Sequence, residues 1–246
     1  MVKSPRYSGN WRPMAKNKTE IAIIVQARLA SQRVPQKMIR PFAGTTLLDI
    51  LFDKLATLKS LPTSQIFVSA FDDPIKEIAE HHGLQVFHRS EASALEEKDM
   101  PLIFEWHDKL PAQYKYVVMI SACNPLLEGD TIDSFIESFA ASDEMGSFGV
   151  IPKKTYYWDK DGAPITDWGG SPTMNTKYVE PVYEAAHCLY ASQLDLIGRG
   201  YWMCETTPPR LELFPMEELE TFDIDEEWQF TVGEKLYEQL VDPGPR

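Results

Sequence analysis

The chain has 246 residues, of which 43% are hydrophobic, 11% aromatic and 25% charged, an ordinary composition for a globular protein of one large domain or two small ones. Its 24 Lys and Arg against 37 Asp and Glu leave a formal net charge of −13, the wrong sign for a surface that grips duplex nucleic acid or an anionic membrane. The surplus leaves small polyanions open as ligands, because a local basic pocket or a bound cation inverts the sign where contact is made.

Cys123, Cys188 and Cys204 are far apart and lack CxxC spacing, which argues against a structural zinc site and a disulfide scaffold. No apolar stretch approaches the roughly 20 residues that cross a bilayer. Residues 1–19 carry positive charge without the apolar centre of a signal peptide. They are read as a disordered leader, and the expected location is the cytoplasm.

Residues 21–25 (IAIIV) are a short β-branched run of the kind buried on both faces of a parallel sheet. The polar and basic residues 26–40, with Pro35, predict a long loop. Apolar spacing then predicts a helix over 46–56, a strand over 66–69, a helix over 74–81, a short strand over 84–87 and a helical stretch over 99–109. A strand over 116–120, a capped amphipathic helix over 130–139 and a strand over 146–151 follow. This alternation predicts an α/β fold with a doubly wound, mostly parallel sheet, and a single domain over 20–246. The rhythm breaks at 153–184, which is rich in Gly, Pro and aromatics, among them Tyr156, Tyr157, Trp158 and Trp168. It is too long for a plain connector and is expected to fold against a partner subunit or over the site. Regular structure resumes at 186–190 and 211–214, and the chain closes with 222–225 and a helix over 226–240.

Two segments carry chemistry. The loop after the first strand (26–40) holds Arg28, Arg33, Lys37 and Arg40 and no acidic residue. In open α/β sheets ligands bind where loops leave the carboxyl ends of strands, and guanidinium forks, an ammonium and turn N–H groups suit a triphosphate. The competing reading is a solvated basic loop. With no glycine before Gly44, it is neither a Walker loop nor a dinucleotide fingerprint, which disfavours an NAD-dependent dehydrogenase. At the other end, alternation along 222–225 (FDID) puts the Asp223 and Asp225 carboxylates on one face of a strand end, roughly 7 Å apart, with Ile224 facing inward. Two hard oxygen ligands suit Mg²⁺. Alternatively, Asp225 caps the helix beginning at Glu226 and Asp223 is merely solvated.

Residues 24–37 (IVQARLASQRVPQK), followed by 41–48 (PFAGTTLL), resemble the opening of the acylneuraminate cytidylyltransferases, which activate sialic-acid-like sugars as CMP conjugates. The spore-coat polysaccharide nucleotidyltransferases share this opening. The resemblance implies a Rossmann-like nucleotidyltransferase fold with a small dimerisation excursion, and a homodimer. By the same resemblance, Arg28, Ser31, Arg33 and Lys37 would hold the phosphates of CTP, and Gln26 and Ala27 at the start of the loop would belong to the nucleotide-binding site. Arg28 and Lys37 would stabilise departing pyrophosphate, and Asp223 and Asp225 would hold Mg²⁺, because the family carries an Asp-x-Asp leading into a C-terminal helix. Residues 67–73 (FVSAFDD) look like the family's second strand and nucleotide-proximal turn, which adds Ser69. Residues 88–95 (HRSEASAL) stand where the family's loop surrounds the base, making Arg89 and Ser90 candidates, although an ordinary salt-bridging loop is an equal reading. Residues 178–190 resemble the segment that returns from the excursion. The similarity spans about 20–240, dense at both ends and thin between.

The chain departs from the pattern at 120–127 (ISACNPLL). Sialic-acid-activating members have Gln where Ser121 stands, Kdo-activating relatives a metal-binding Asp at Cys123, and the spore-coat branch Asp at Ala122. Met38 stands where sialic-acid enzymes have Asn. Ser121, Cys123, Asn124 and His187 are the acceptor-facing candidates; His187, between apolar neighbours, also reads as a core histidine. Cys123 is not needed as a nucleophile, since phosphoryl transfer rests on positioning and charge neutralisation. The leading expectation is a cytidylyltransferase acting on CTP and a small acidic sugar for surface polysaccharide synthesis. Its competitors are the same fold with another nucleotide or a phosphorylated or phosphonate acceptor, and a non-catalytic nucleotide-binding subunit.

Overall fold

The structure, a computed structural model, describes residues 15–167, 173–205 and 211–241. In chain order it runs β1 (Ile21–Ala27), α1 (Leu47–Ala56), β2 (Ile66–Ala70), α2 (Asp73–His81), β3 (Gln85–His88), α3 (Glu91–Leu95), α4 (Met100–Ile103), β4 (Tyr116–Ile120), α5 (Gly129–Ala141), β5 (Gly146–Lys153), β6 (Val182–Gln193), α6 (Leu194–Gly198), β7 (Glu212–Pro215) and α7 (Glu227–Leu240). The seven strands form one sheet in the order β3-β2-β1-β4-β6-β5-β7. β1 pairs in parallel with β2 and β4, while β6 runs antiparallel to both β4 and β5. This is the doubly wound, mostly parallel α/β sheet expected from the alternation of elements.

β1 sits at the centre because both its faces are apolar. Ile21, Ile23 and Val25 join the core beneath α1, α2 and α5, whereas Ala22 and Ile24 pack on the opposite face with Phe67, Trp106, Val117 and Ile197. With β2 and β4 on either side, the carboxyl end of β1 opens onto a crevice at the middle of the sheet, where open α/β folds bind ligands. Antiparallel β6 reaches the same rim, since Ile120 at the end of β4 pairs with Leu189.

A third apolar cluster lies outside the sheet. Val34, Phe42, Leu47 and Ile50 pack against Ile224 and Phe230, joining the loop after β1 to the segment before α7. The turn that aims Phe42 inward has positive φ at both central residues, Ala43 (φ 49) and Gly44 (φ 78), the geometry of a type I′ turn and the reason glycine suits the second position. Phe42 meets the Phe230 ring edge-on at 5.2 Å.

Four local expectations change. The stretch 99–109 is not one helix but α4 followed by a 3₁₀ turn, Glu105–Asp108, broken at Phe104. Phe104 packs on Trp106 and Trp202 at 5.4 and 5.0 Å; residues two apart lie on opposite sides of an α-helix, so the break lets Phe104 and Trp106 both pack inward. Residues 222–225 are extended but outside the sheet, tied to the β4–α5 connection by a backbone bond from the Ile224 N–H to the Cys123 carbonyl (3.0 Å). Residues 15–19 of the expected disordered leader are ordered: Lys16 is buried, its N–H donates to the Ala140 carbonyl at 2.7 Å, and its ammonium donates to the Phe139 carbonyl at 3.0 Å, at the carboxyl end of α5. Residues 1–14 of that leader lie outside the described residues, as do Trp168, Gly169, Gly170 and Pro172 of the aromatic excursion. Finally, β1 extends through Gln26 and Ala27, so the loop begins at Arg28.

Phe42 is fully buried between two helices, so Phe42→Ala is expected to cost about 3–5 kcal/mol in urea unfolding. A cost below about 1 kcal/mol would show that the third cluster does not anchor α7.

Candidate functional site

The crevice at the end of β1 is a cleft of about 480 Å³ lined by Gln26, Arg28, Ser31, Arg33, Lys37 and Asp225, among others. A second hollow of about 370 Å³ adjoins it, lined in part by Ala27, Arg89 and Ile103, and sharing Gln26, Arg28 and Glu97 with the first. The loop that supplies the cations is held from outside. Asp72, between β2 and α2, accepts the Leu29 N–H at 2.9 Å, and the Ser31 hydroxyl accepts the Val34 N–H at 3.4 Å. The Gln26 amide is oriented by Trp106, whose indole N–H donates to Gln26 Oε1 at 2.8 Å.

Lys37 is the buried cation of the site. Its Nζ donates to the Ile224 carbonyl at 2.5 Å and to Asp225 Oδ1 at 3.2 Å. Burial works against its charge, but the neighbouring Cys123 sulfur and the Asp225 carboxylate outweigh it and hold the ammonium above its ordinary value. Cys123 is itself pushed up by burial, and Asp225 is the carboxylate that Lys37 meets. Arg33 reaches the same carboxylate, 2.9 Å from Asp225 Oδ1, and also approaches Glu226 at 3.6 Å. Arg40 forms a two-pronged pair with Glu227 and lies over the Phe230 ring at 3.7 Å. Arg28 donates to the Ala94 carbonyl at 3.2 Å and faces Glu97 at 3.6 Å. Every cation of the basic loop is therefore matched by a carboxylate, three of them by the run Asp225, Glu226 and Glu227. A highly charged loop on an acidic protein is here one half of a charge-matched cleft.

Asp223 and Asp225 flank Ile224, which is fully buried in the third cluster; the alternation expected of a strand survives without the sheet. Asp225 does not cap α7. That role falls to Glu226, which makes a reciprocal capping box with Gln229. The Asp223 carboxyl is pushed up to about 6 by burial and then by the Asp225 charge, with Lys37, His187 and Arg33 opposing. Its Oδ1 is buried and has no hydrogen-bond partner. Among the described residues no cluster of three or more His, Cys, Asp or Glu side chains forms a closed metal cage. Two carboxylates, one with an unused oxygen, instead fit a hard divalent cation that keeps open positions for phosphate and water.

The other candidates divide. Arg89 lines the second hollow, but its guanidinium is engaged with the Ser93 hydroxyl (2.9 Å) and the Ser93 and Ile103 carbonyls, and burial followed by the Arg28 charge holds it below its ordinary value. Ser90 caps α3, accepting the Ser93 N–H at 3.1 Å. Ser69 is fully enclosed within the sheet and faces neither hollow, because its side of β2 points into the core. Ser121 accepts the Cys123 N–H at 3.1 Å, and Asn124 is buried, donating to the Thr221 carbonyl at 3.2 Å. His187 is exposed rather than a core histidine. It sits in left-handed backbone (φ 55) beside the irregularity in the β5–β6 pairing, within electrostatic range of Asp223. Sequence reasoning missed Asp72, Glu97 and Glu227. Of these only Asp72 carries a local signal, an acidic residue before the Pro74 helix start.

The family profile described as cytidylyltransferase matches residues 22–185, more than half of the chain. The chain belongs to the cytidylyltransferase family. It is 25% identical over 125 residues to the spore coat polysaccharide biosynthesis protein SpsF of Bacillus subtilis, a match covering 48% of this chain and 49% of that protein. The chain thus spans about half the length of the curated relative it matches. Among solved structures, the fold is shared with a CMP:2-keto-3-deoxy-manno-octonic acid synthetase complexed with CTP (TM-score 0.66, 10% identity, 89% of this chain and 99% of that one). It is shared as well with the 4-diphosphocytidyl-2C-methyl-D-erythritol synthase of Anaerococcus prevotii (TM-score 0.63, 16% identity, 90% and 97%) and a cytidylyltransferase of Leptospira borgpetersenii (TM-score 0.60, 15% identity, 90% and 88%).

Because Asp225 occupies Arg33 and Lys37, an incoming polyphosphate competes with it. Asp225→Asn is expected to bind tripolyphosphate about two- to fivefold more tightly in chelator-treated buffer, the range of a partly exposed ion pair. Calorimetry showing equal or weaker binding would contradict the competition.

Proposed function

We propose that this cytidylyltransferase-family chain transfers a cytidylyl group from CTP to an oxygen of a small acidic, sialic-acid-like sugar, releasing pyrophosphate, as a step in making a surface polysaccharide. The observation that carries the reading is the meeting of Lys37 and Arg33 with Asp225 across one cleft, at 3.2 and 2.9 Å, although 188 residues separate Lys37 from Asp225. A triphosphate donor needs both halves of that arrangement, cations for its oxygens and carboxylates for the divalent ion it brings.

In this reading Arg28, Ser31, Arg33 and Lys37 take the phosphates along the 480 Å³ cleft, and the adjoining hollow at Gln26, Ala27 and Arg89 takes the nucleoside. Asp223 and Asp225 would hold Mg²⁺, which supplies charge neutralisation at the phosphates and acidifies the attacking hydroxyl. The acceptor oxygen attacks the α-phosphorus in line; its bond forms as the bond to the bridging oxygen of pyrophosphate breaks. Lys37 is anchored on the Ile224 carbonyl, so its ammonium is positioned before substrate arrives and loses little entropy on neutralising the leaving group. Acceptor contacts would come from the exposed His187 and partly exposed Ser121 and Cys123; Asn124 is committed to the Thr221 carbonyl and would act on the frame.

The homodimer belongs to the same proposal. The excursion between β5 and β6 leaves Trp158, Ile165 and Tyr178 exposed, as is Tyr183 at the start of β6, apolar groups that a partner subunit would cover. Among the described residues no helix is long and apolar enough to cross a membrane; a cytoplasmic site of action is part of the proposal.

Pyrophosphate release should be measured with each of the four NTPs against sialic-, legionaminic-, pseudaminic- and Kdo-type sugars. Turnover with CTP and at least one of these acids is expected. Preference for another nucleotide, or CTP binding without turnover on any acceptor, would replace the reading with one of its competitors. Separately, Lys37→Ala is expected to lower turnover by about 10²–10³-fold, with the melting temperature followed in parallel because the Ile224 contact is lost; near-native turnover would refute the role of Lys37.

A further inference from the structure

The carboxylate that opens the acidic segment has a partner far from the cleft. Helix α5 begins without a cap of its own, since its N-cap residue Glu128 makes no side-chain bond to the first turn. Exposed N–H donors at a helix start need an acceptor, and the positive end of the helix favours an anion. Glu220 supplies both from across the molecule. Its Oε2 accepts the Glu128 N–H at 3.0 Å, and its Oε1 accepts the Thr131 hydroxyl at 2.9 Å.

Glu220 stands three residues before Asp223. The next residue, Thr221, gives its carbonyl to the Asn124 amide at 3.2 Å, and Ile224 gives its N–H to the Cys123 carbonyl at 3.0 Å. Only Phe222 and Asp223 lie between those two anchors. Among the described residues the segment has no ladder partner, so these few bonds to the β4–α5 connection, together with the burial of Ile224, set where the Asp223 carboxylate stands.

We propose that Glu220 is a positioning residue for Asp223: by capping α5 it sets the register of the acidic segment against the β4–α5 connection and so places the carboxylate for a divalent cation. The inference rests on the functional reading above, in which Asp223 and Asp225 hold the metal. Groups that orient a metal ligand from behind typically change metal affinity by about 10–100-fold when removed.

The test is Mn²⁺ binding, followed by electron paramagnetic resonance, to the full chain saturated with non-hydrolysable α,β-methylene-CTP. Glu220→Ala is expected to raise the Mn²⁺ dissociation constant about tenfold or more, while affinity for the analogue in chelator stays within about twofold of wild type. Glu220→Gln is expected to recover most of the loss, because its amide oxygen accepts the Glu128 N–H and its NH₂ donates to the Thr131 oxygen. Thr131→Val, which removes one of the two bonds, should give an intermediate shift and decides the matter if Glu220→Ala does not fold. Unchanged Mn²⁺ binding in Glu220→Ala, or in Thr131→Val should it stand alone, overturns the proposal, as does a Gln variant no better than Ala. A wild-type chain that binds no Mn²⁺ overturns instead the metal reading on which it rests.

Discussion

The burial of Ile224 against Val34, Phe42 and Phe230 is the contact on which the cleft depends. Each such side chain is worth about 1.5–3 kcal/mol when removed from water, far more than any of the partly exposed ion pairs beside it. That apolar contact brings the end of the chain onto the loop after β1. Once Ile224 is inside, period-2 geometry turns the flanking carboxylates away from the apolar cluster, Asp225 into the cleft and Asp223 to a buried position beside it, and Lys37 can close on the Ile224 carbonyl. The chemistry is arranged by a hydrophobic anchor that takes no part in it.

Electrostatics then refine what packing has assembled. The net charge of −13 is a property of the whole surface, and it conceals a local balance in which Arg28, Arg33, Lys37 and Arg40 each face a carboxylate. Without ligand, the cleft neutralises its own cations, which keeps a buried ammonium tolerable. In the proposed reading a polyphosphate and its cation would replace these internal pairs in one exchange, phosphate taking the guanidinium and ammonium groups and leaving the released carboxylate to the cation.

Much of this was legible in the residues. The β-branched run at 21–25 and the strand-helix alternation sufficed for the parallel sheet, because burial on both faces leaves a plain one-dimensional pattern. The basic loop and the Asp-x-Asp were visible as local concentrations of one sign of charge. Signals weakened wherever one residue serves two distant partners. Phe104 and Trp106 pack on the same face only by breaking the helix that their spacing implied. Ser69 at the end of the predicted second strand and Ser90 in the loop after the third read as nucleotide-side donors in sequence, yet one is enclosed by the sheet and the other caps α3. His187 reads as core among apolar neighbours, and a distortion in the β5–β6 pairing turns it outward.

By itself the sequence determined the layered architecture, the location of the cationic loop after the first strand, and the family resemblance carried by its two ends. These rest on local periodicity and on residue types at short spacing, which survive in one dimension. Only the tertiary structure decided that the two ends form one cleft, that Asp225 faces Arg33 and Lys37 instead of capping α7, and that Glu220 reaches the start of α5. Those contacts join residues separated by 89 to 192 positions, and their geometry is fixed by what each side chain can bury against, information that no window of the chain contains.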